Sequence, residues 1–113
     1  MTITTHVLDT ARGEPAAGIP IVLEFKAPGG WERRGAGRTD ADGRLRTLIA
    51  GGSPPLAAGV YRITFDTGAY FAARGVEGFY PEVSILFDVR DASAHYHVPL
   101  LVSPYGYSTY RGS

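Results

Sequence analysis

Glycine and proline divide this chain into many short segments. Of the 113 residues, 15 are glycine and 8 are proline, together about a fifth of the sequence. Because turns use both residues, this frequency favours many short strands. Residues 59–66 (GVYRITFD) alternate between two sets of side chains, which is the period of a strand with one buried face.

Similar segments recur along the chain, and we predict an all-β fold, a two-sheet β-sandwich of about eight strands within one domain covering residues 1–113. The predicted strands are residues 3–10, 19–26, 31–34, 44–48, 59–66, 82–90, 95–103 and 105–110. Loops or turns are expected at residues 11–18 and 35–43, and Gly51 to Pro55 (GGSPP) break the chain again.

One short helix is predicted at residues 67–74. Asp66 or Thr67 can cap its first turn, and Gly75 can end it. Tyr70 and Phe71 give this segment an apolar side, with which it can pack against the sandwich.

The composition excludes several classes of protein. A hydrophobic fraction of 44% excludes a disordered chain. Eleven basic and eleven acidic residues cancel, so binding to nucleic acid or to an anionic membrane through bulk charge is not expected. The absence of cysteine removes disulfides, thiolate nucleophiles and cysteine-based zinc sites.

The sequence also predicts a cytoplasmic location. No segment has the apolar length needed to span a bilayer. The first five residues lack both a basic region and an apolar run, so we expect no signal peptide. The lack of cysteine is compatible with a reducing compartment.

All three histidines lie in predicted strands. His95 and His97 are two residues apart, so both should point to the same face, together with Pro99. Proline within a strand indicates an irregular or edge position. His6 lies in the first strand, and the residues alone do not place it near His97. A lone strand histidine often has only a structural role, and for His95 we expect that role.

Two motifs could indicate a metal. The pair His95 and His97 with His6 nearby is a workable zinc set, and this alternative stays open, although no second-shell carboxylate is obvious. Residues 40–43 (DADG) resemble part of an EF-hand loop. Aligning Gly43 with the invariant glycine of that loop puts Arg38 and Ile49 at ligand positions, so we expect an Asp-Gly turn and no calcium.

Two further motifs are misleading. Residues 66–68 (DTG) imitate the signature of aspartic proteases, but a helix signal follows at once, and capping is the better interpretation. Residues 35–37 (GAG) lack the third glycine of a dinucleotide-binding loop, because Asp40 stands there.

The end of the sequence is distinctive. Residues 107–113 (YSTYRGS) follow a predicted strand without a linker, and this combination of tyrosine, arginine and serine suggests a docked segment rather than a frayed one. Together with residues 5–10 (THVLDT), 39–44 (TDADGR), 79–82 (FYPE) and 95–103 (HYHVPLLVS), this ending closely resembles the transthyretin-like 5-hydroxyisourate hydrolases. The resemblance covers nearly the whole chain.

The resemblance implies a function and a site. The enzymes of this family open a planar purine-derived ring with water and need no metal or other cofactor. His6, Arg44, His97 and Tyr110 match the substrate-contacting positions, and Arg111, Gly112 and Ser113 would close the site. His6, Arg44 and His97 are then the catalytic residues, and either histidine could be the general base. The family also implies a homotetramer, with active sites between subunits.

A carrier protein is the main alternative. Transthyretin shares this architecture and the segment around residues 101–109, so the fold alone cannot choose between an enzyme and a small-ligand binding protein. The paired histidines and the YRGS ending (residues 110–113) favour the hydrolase, since the carrier lacks both.

Overall fold

The computed structural model describes residues 2–49 and 56–113 and consists of two β-sheets around a common core, with one short helix. The elements are β1 (Ile3–Asp9), β2 (Glu14–Pro15), β3 (Pro20–Ala27), β4 (Gly30–Arg38), β5 (Arg44–Leu45), β6 (Gly59–Phe65), α1 (Thr67–Ala73), β7 (Val83–Val89), β8 (Tyr96–Ser103) and β9 (Gly106–Thr109). The predicted all-β sandwich is confirmed. The predicted break at residues 51–55 lies outside the described residues.

The two sheets differ in their strand order. The first has the order β2-β1-β8-β9, with β5 also paired to β1, and the second has the order β4-β3-β6-β7. β1 and β8 are parallel, whereas the other pairs are antiparallel. β7 and β9 are therefore each an edge strand, one in each sheet.

The core follows from the alternation in the sequence. Every second side chain of the inner strands is buried between the sheets, including Ile3, Val7, Ile21, Leu23, Tyr61, Ile63, Phe65, Val98, Leu100 and Val102. Truncating one of the large ones, such as Phe65, to alanine should cost about 3–5 kcal/mol of unfolding free energy. The intervening residues of β1 and β8 face outward.

The helix is capped as predicted and tied to the first strand. Asp66 Oδ1 accepts a hydrogen bond from the backbone N–H of Ala69 at 3.0 Å, which confirms Asp66 as a cap rather than a protease carboxylate. Tyr70 donates its hydroxyl hydrogen to Asp9 Oδ2 at 2.8 Å. Burial, followed by the interaction with the Asp9 carboxylate, raises the pKa of Tyr70 to about 12, so the phenol stays protonated and holds α1 against β1.

β4 is longer than predicted. The sequence indicates a strand over residues 31–34 and then a turn, but pairing with β3 continues to Arg38. A Cβ atom on Gly35 would lie 1.6 Å from the carbonyl oxygen of Leu48, and one on Gly37 would lie 2.9 Å from Leu45. These glycines serve the close approach of the following segment rather than a turn.

Other boundaries also differ, most of them by a single residue at an end. The strand predicted at residues 44–48 pairs only through Arg44–Leu45, although Leu48 is fully buried. The loop predicted at residues 11–18 contains the two-residue strand β2, which pairs with the end of β1. The last strand is Gly106–Thr109, shorter than the predicted residues 105–110.

Pro99 interrupts the pairing of β8 with β9. Proline has no N–H to donate to a facing strand. The ladder runs from Ser103 to Leu100, which faces Thr109, and one further bridge joins His97 to Gly112. The expectation of an irregular position is thus confirmed, but Pro99 does not lie at an edge, because β8 stands between β1 and β9.

Candidate active site

Three neighbouring strands of the first sheet bring the histidines and Arg44 together. Thr4 of β1 lies beside His97 of β8, and His6 lies beside Arg44 of β5. Neighbouring residues in register point to the same face of a sheet. His6, His97 and Arg44 therefore lie on the outer face, away from the core.

A tight turn presents Arg44. Asp40 Oδ1 accepts hydrogen bonds from the backbone N–H groups of Asp42 and Arg44 at 2.9 and 3.0 Å, and the bond from Arg44 is the main reason why the pKa of Asp40 is lowered. Gly43 adopts a left-handed φ of 76°. A Cβ atom there would lie 2.4 Å from the carbonyl oxygen of Val7, so only glycine allows the turn to reach β1. The predicted Asp-Gly turn is confirmed.

The same turn holds His6. Nε2 of His6 lies 2.9 Å from the carbonyl oxygen of Asp42. A carbonyl oxygen only accepts, so Nε2 carries the hydrogen of this bond. In a neutral ring, Nδ1 of His6 is then left as an acceptor.

The ring of His97 is fixed on two sides. Its Nδ1 lies 2.8 Å from the hydroxyl of Thr4. On the other side, Gly112 is so close that a Cβ atom there would lie 2.5 Å from Cδ2 of His97. Nε2 has no hydrogen-bond partner among residues 2–49 and 56–113, which leaves this nitrogen available to a ligand.

His97 is held in its neutral form by its surroundings. Burial is the main cause that lowers the pKa of His97 from 6.5, and the charge of Arg44, together with that of His6 or His95 whenever these rings are protonated, lowers it further. Desolvation and like charge both disfavour imidazolium. A neutral imidazole with one free nitrogen can accept a proton at neutral pH.

The end of the chain is docked on β8, as its composition suggests. The backbone N–H of Gly112 donates to the carbonyl oxygen of His97 at 2.8 Å. The guanidinium of Arg111 lies over the ring of Tyr96, 4.6 Å from its centroid. Between Thr109 and Gly112 the segment does not pair with β8, because the facing Pro99 has no N–H to donate. Tyr110 is 60% exposed.

An open cleft of about 310 Å³ unites part of the predicted site. Its lining consists of Thr4, Thr5, Arg44, Arg46, His95, His97 and Ser113. Three of the seven predicted residues, Arg44, His97 and Ser113, therefore line one cleft. Gly112 packs against the His97 ring, and His6 lies beside Arg44 on the same face.

Tyr110 and Arg111 line a different cleft within the protomer. This second cleft, of about 250 Å³, lies between the edge strands β7 and β9 and is also lined by Leu86 and Val98. The structure of one protomer thus does not bring these two side chains to the histidines. Their contact with substrate stays a prediction.

Sequence reasoning missed three cleft residues of the same outer face. Thr4 and Arg46 stand two residues from His6 and Arg44 respectively, so the strand period alone could have assigned Thr4 to the site. His95 was expected to have a structural role. Its ring stacks on that of His97, with 6.5 Å between centroids and an interplanar angle of 13°, and it lines the same cleft.

The histidines do not form a metal-binding group in this structure. Among the described residues, no three His, Asp or Glu side chains converge as metal ligands. Instead, His6 bonds to the carbonyl group of Asp42, and His97 bonds to Thr4. Likewise, within the described ranges, no helix is long and apolar enough to cross a membrane.

Two sheets in this order, with a histidine and arginine cleft on the outer face of the first sheet, define a transthyretin-like sandwich with a candidate active site. Residues 3–112 match the sequence profile of the HIUase/Transthyretin family, and the chain belongs to this family.

Similar proteins include both 5-hydroxyisourate hydrolases and transthyretins. A 5-hydroxyisourate hydrolase of Caulobacter vibrioides is 48% identical, over 98% of this chain and 97% of its own. The solved structure of Klebsiella pneumoniae 5-hydroxyisourate hydrolase is 38% identical, with a TM-score of 0.85 and full coverage of both chains. Sea bream transthyretin in complex with thyroxine is 32% identical, with a TM-score of 0.90 over 99% of this chain and 95% of its own.

Proposed function

We propose that this protein is a 5-hydroxyisourate hydrolase that gives 2-oxo-4-hydroxy-4-carboxy-5-ureidoimidazoline, the step that follows urate oxidation in purine degradation. The observation that carries the proposal is the ring of His97, held between Thr4 and Gly112 with Nε2 free and Arg44 in the same cleft. The relatives named as this hydrolase support the choice of substrate.

His97 acts as the general base. Its Nε2 takes a proton from water while the water oxygen attacks the amide-like carbonyl carbon of the six-membered ring. The resulting imidazolium then returns the proton to the ring nitrogen as the carbon–nitrogen bond breaks, which leaves a carboxyl group and an N–H. The lowered pKa of His97 supports this role, because the base is neutral at the start.

Arg44 binds the substrate and stabilises the charge that develops on the carbonyl oxygen. A guanidinium keeps its charge at all relevant pH values and offers a planar set of donors that suits a flat anionic ring. His6 positions the water: its Nε2 is engaged with Asp42, and its Nδ1 can accept a hydrogen bond from the water. No cofactor enters these steps.

The working unit is a homotetramer in which Tyr110, Arg111, Gly112 and Ser113 wall an active site between subunits. The exposed edges support this assembly, since β7 and β9 have unpaired backbone groups on their outer sides. Leu86 and Tyr110, each 60% exposed, flank the cleft between these edges. A second copy paired edge to edge would cover them.

The location that fits this function is the cytoplasm. The chain lacks cysteine, which suits a reducing compartment. No spanning helix was found in the described ranges, and the proposed substrate is a small soluble metabolite. Fractionation of cells that express the protein tests this location.

A carrier function is the second candidate, favoured by the high TM-score with sea bream transthyretin. Both proteins share the fold, so side chains must decide. A carrier needs no basic nitrogen beside an arginine, and the His97 and Arg44 cleft would then have no role.

The deciding experiment generates 5-hydroxyisourate with urate oxidase and follows its ultraviolet absorbance with and without this protein. A chelator is present in one series. We expect faster decay than the spontaneous reaction in both series. Unchanged decay in the presence of folded tetramer would overturn the proposal and favour the carrier.

A further inference from the structure

Two threonine hydroxyls and two histidine rings form a row across β1 and β8. Thr2 Oγ1 contacts Nδ1 of His95. Thr4 Oγ1 lies between the two rings, 3.5 Å from Nε2 of His95 and 2.8 Å from Nδ1 of His97. The parallel register, which places Thr4 beside His97, creates this row.

The chemistry of one hydroxyl limits how the row can be arranged. A threonine hydroxyl has a single hydrogen to donate and two lone pairs that accept. If Thr4 donates to Nε2 of His95, its lone pairs must meet a hydrogen on Nδ1 of His97. If Thr4 donates to His97 instead, it has no hydrogen left for His95.

Only one of these arrangements suits a base at Nε2 of His97. A neutral imidazole carries one hydrogen, on either Nδ1 or Nε2. Placing it on Nδ1 leaves the lone pair of Nε2 free, and Nε2 is the nitrogen without a partner in the described part of the chain. The opposite tautomer puts a hydrogen where the proton of water must go.

We propose that Thr4, oriented by His95, is a positioning residue that fixes His97 as the Nδ1–H tautomer and so makes Nε2 the base. This inference rests on the proposed hydrolase function, but the tautomer itself is a property of the folded protein without substrate. His95 thereby has a role beyond supporting its strand neighbours.

Other groups near His97 do not fix its tautomer. Arg44 acts on it through charge, His6 bonds to the carbonyl oxygen of Asp42, and Arg46 forms an ion pair with Asp40 at 3.7 Å. Gly112 touches the carbon edge of the ring and holds its plane. The neighbour that forms a hydrogen bond with a ring nitrogen of His97 is Thr4.

The direct test is nitrogen NMR of the full protein labelled with 15N-histidine, at a pH where the rings are neutral. We expect Nδ1–H for His97 in the wild type. In Thr4→Val, which keeps the β-branched shape without the hydroxyl, the Nε2–H form should appear, whereas Thr4→Ser should keep Nδ1–H. His95→Ala should shift the population in the same direction as Thr4→Val.

Kinetics give a second readout. Thr4→Val should lower kcat about tenfold with little change in KM, because a weakened base slows the chemical step more than binding. Thr4→Ser should stay within about threefold of the wild type, and Thr64→Val, a matched change on the outer face of the other sheet, should have no effect.

An Nε2–H tautomer in the wild type, or an unchanged tautomer in both Thr4→Val and His95→Ala, overturns the inference. If Thr4→Val does not fold, His95→Ala and the wild-type spectrum decide. A wild-type protein without hydrolase activity but with Nδ1–H on His97 would refute the proposed function and leave the tautomer assignment standing.

Discussion

The outer face of each sheet carries a cluster of polar side chains, and the two clusters differ in how completely their polar atoms are paired. On the second sheet, Arg62 donates twice to Glu24, at 2.8 and 3.0 Å, and lies 4.1 Å from the centroid of the Trp31 ring. On the first sheet, the guanidinium of Arg44 has no carboxylate partner within the described residues, and Nε2 of His97 has no partner there either.

This difference separates structural from functional polar groups. The Arg62 cluster is complete without any other molecule, so its contribution is to stability. The Arg44 and His97 cluster leaves a cation and a basic nitrogen unsatisfied in one cleft. Such incompletely satisfied groups, with a shifted pKa at one of them, are typical of sites that receive a ligand.

The largest expected effect comes from the base. His97→Asn should lower kcat by about 10²- to 10⁴-fold, the range for loss of general acid–base catalysis, with little change in the melting temperature. Turnover of 5-hydroxyisourate and size measurement of the tetramer check this prediction. A tetrameric variant with the wild-type rate would remove His97 from the mechanism.

The two arginines provide a matched pair. Arg44→Gln should lower kcat/KM by about 10²- to 10³-fold, as loss of a donor to a developing negative charge does. Arg62→Gln should leave activity intact and reduce the free energy of unfolding by about 1 kcal/mol. Equal activities of the two variants would contradict the distinction between the faces. Kinetics and urea unfolding of both variants provide the comparison.

Gly112→Ala tests the packing of the cleft rather than its charges. The added methyl group would displace the His97 ring, since its position lies 2.5 Å from Cδ2. We expect a 10- to 100-fold loss of kcat, because small misplacements of catalytic groups are costly. Gly29→Ala is the control, as a Cβ there meets nothing within 4 Å. Similar losses in both variants would argue against this role of Gly112.

The smallest effect is a shift in pH dependence. Because the folded-state pKa of His97 is lowered, the fall of kcat/KM on the acid side should lie below pH 6.5. The stability that neutral His97 contributes is present above 6.5 and is lost as the pH falls through the lowered pKa. Arg44→Gln removes a positive charge and should move the acid-side fall of kcat/KM to higher pH. If this fall lies at the same pH in Arg44→Gln as in the wild type, the charge of Arg44 does not lower the pKa of His97.

Much of the fold could be predicted because it depends on local patterns. Alternation specified the strands, and Asp66 and Gly75 bounded the helix. The length of β4 could not be predicted, because Gly35 and Gly37 serve contacts with Leu48 and Leu45 that only the folded chain creates.

The candidate site also has a part that could be predicted from the sequence and a part that could not. Arg44 and His97 were assigned to the site because of the family resemblance. That they lie close together depends on which strands pair, and local sequence patterns do not specify this pairing. Thr4 followed the period of its strand and was still overlooked, because a threonine in a strand is ordinary. Tyr110 and Arg111 lie in the cleft between β7 and β9, a position that depends on how the two sheets pack and not on local pattern.

The break in the β8–β9 ladder at Pro99 affects how the protein can evolve. Residues 110 and 111 lie between the pairs at Thr109 and Gly112 but outside the ladder itself. Arg111 packs on the Tyr96 ring, whereas Tyr110 is 60% exposed, so the Tyr110 side chain can be exchanged with little effect on the sandwich. A sheet that leaves such an exposed position outside its ladder, in the cleft between β7 and β9, can acquire new ligand preferences by point mutation. Replacing Pro99 with a residue that has an N–H would close the ladder and take that freedom away.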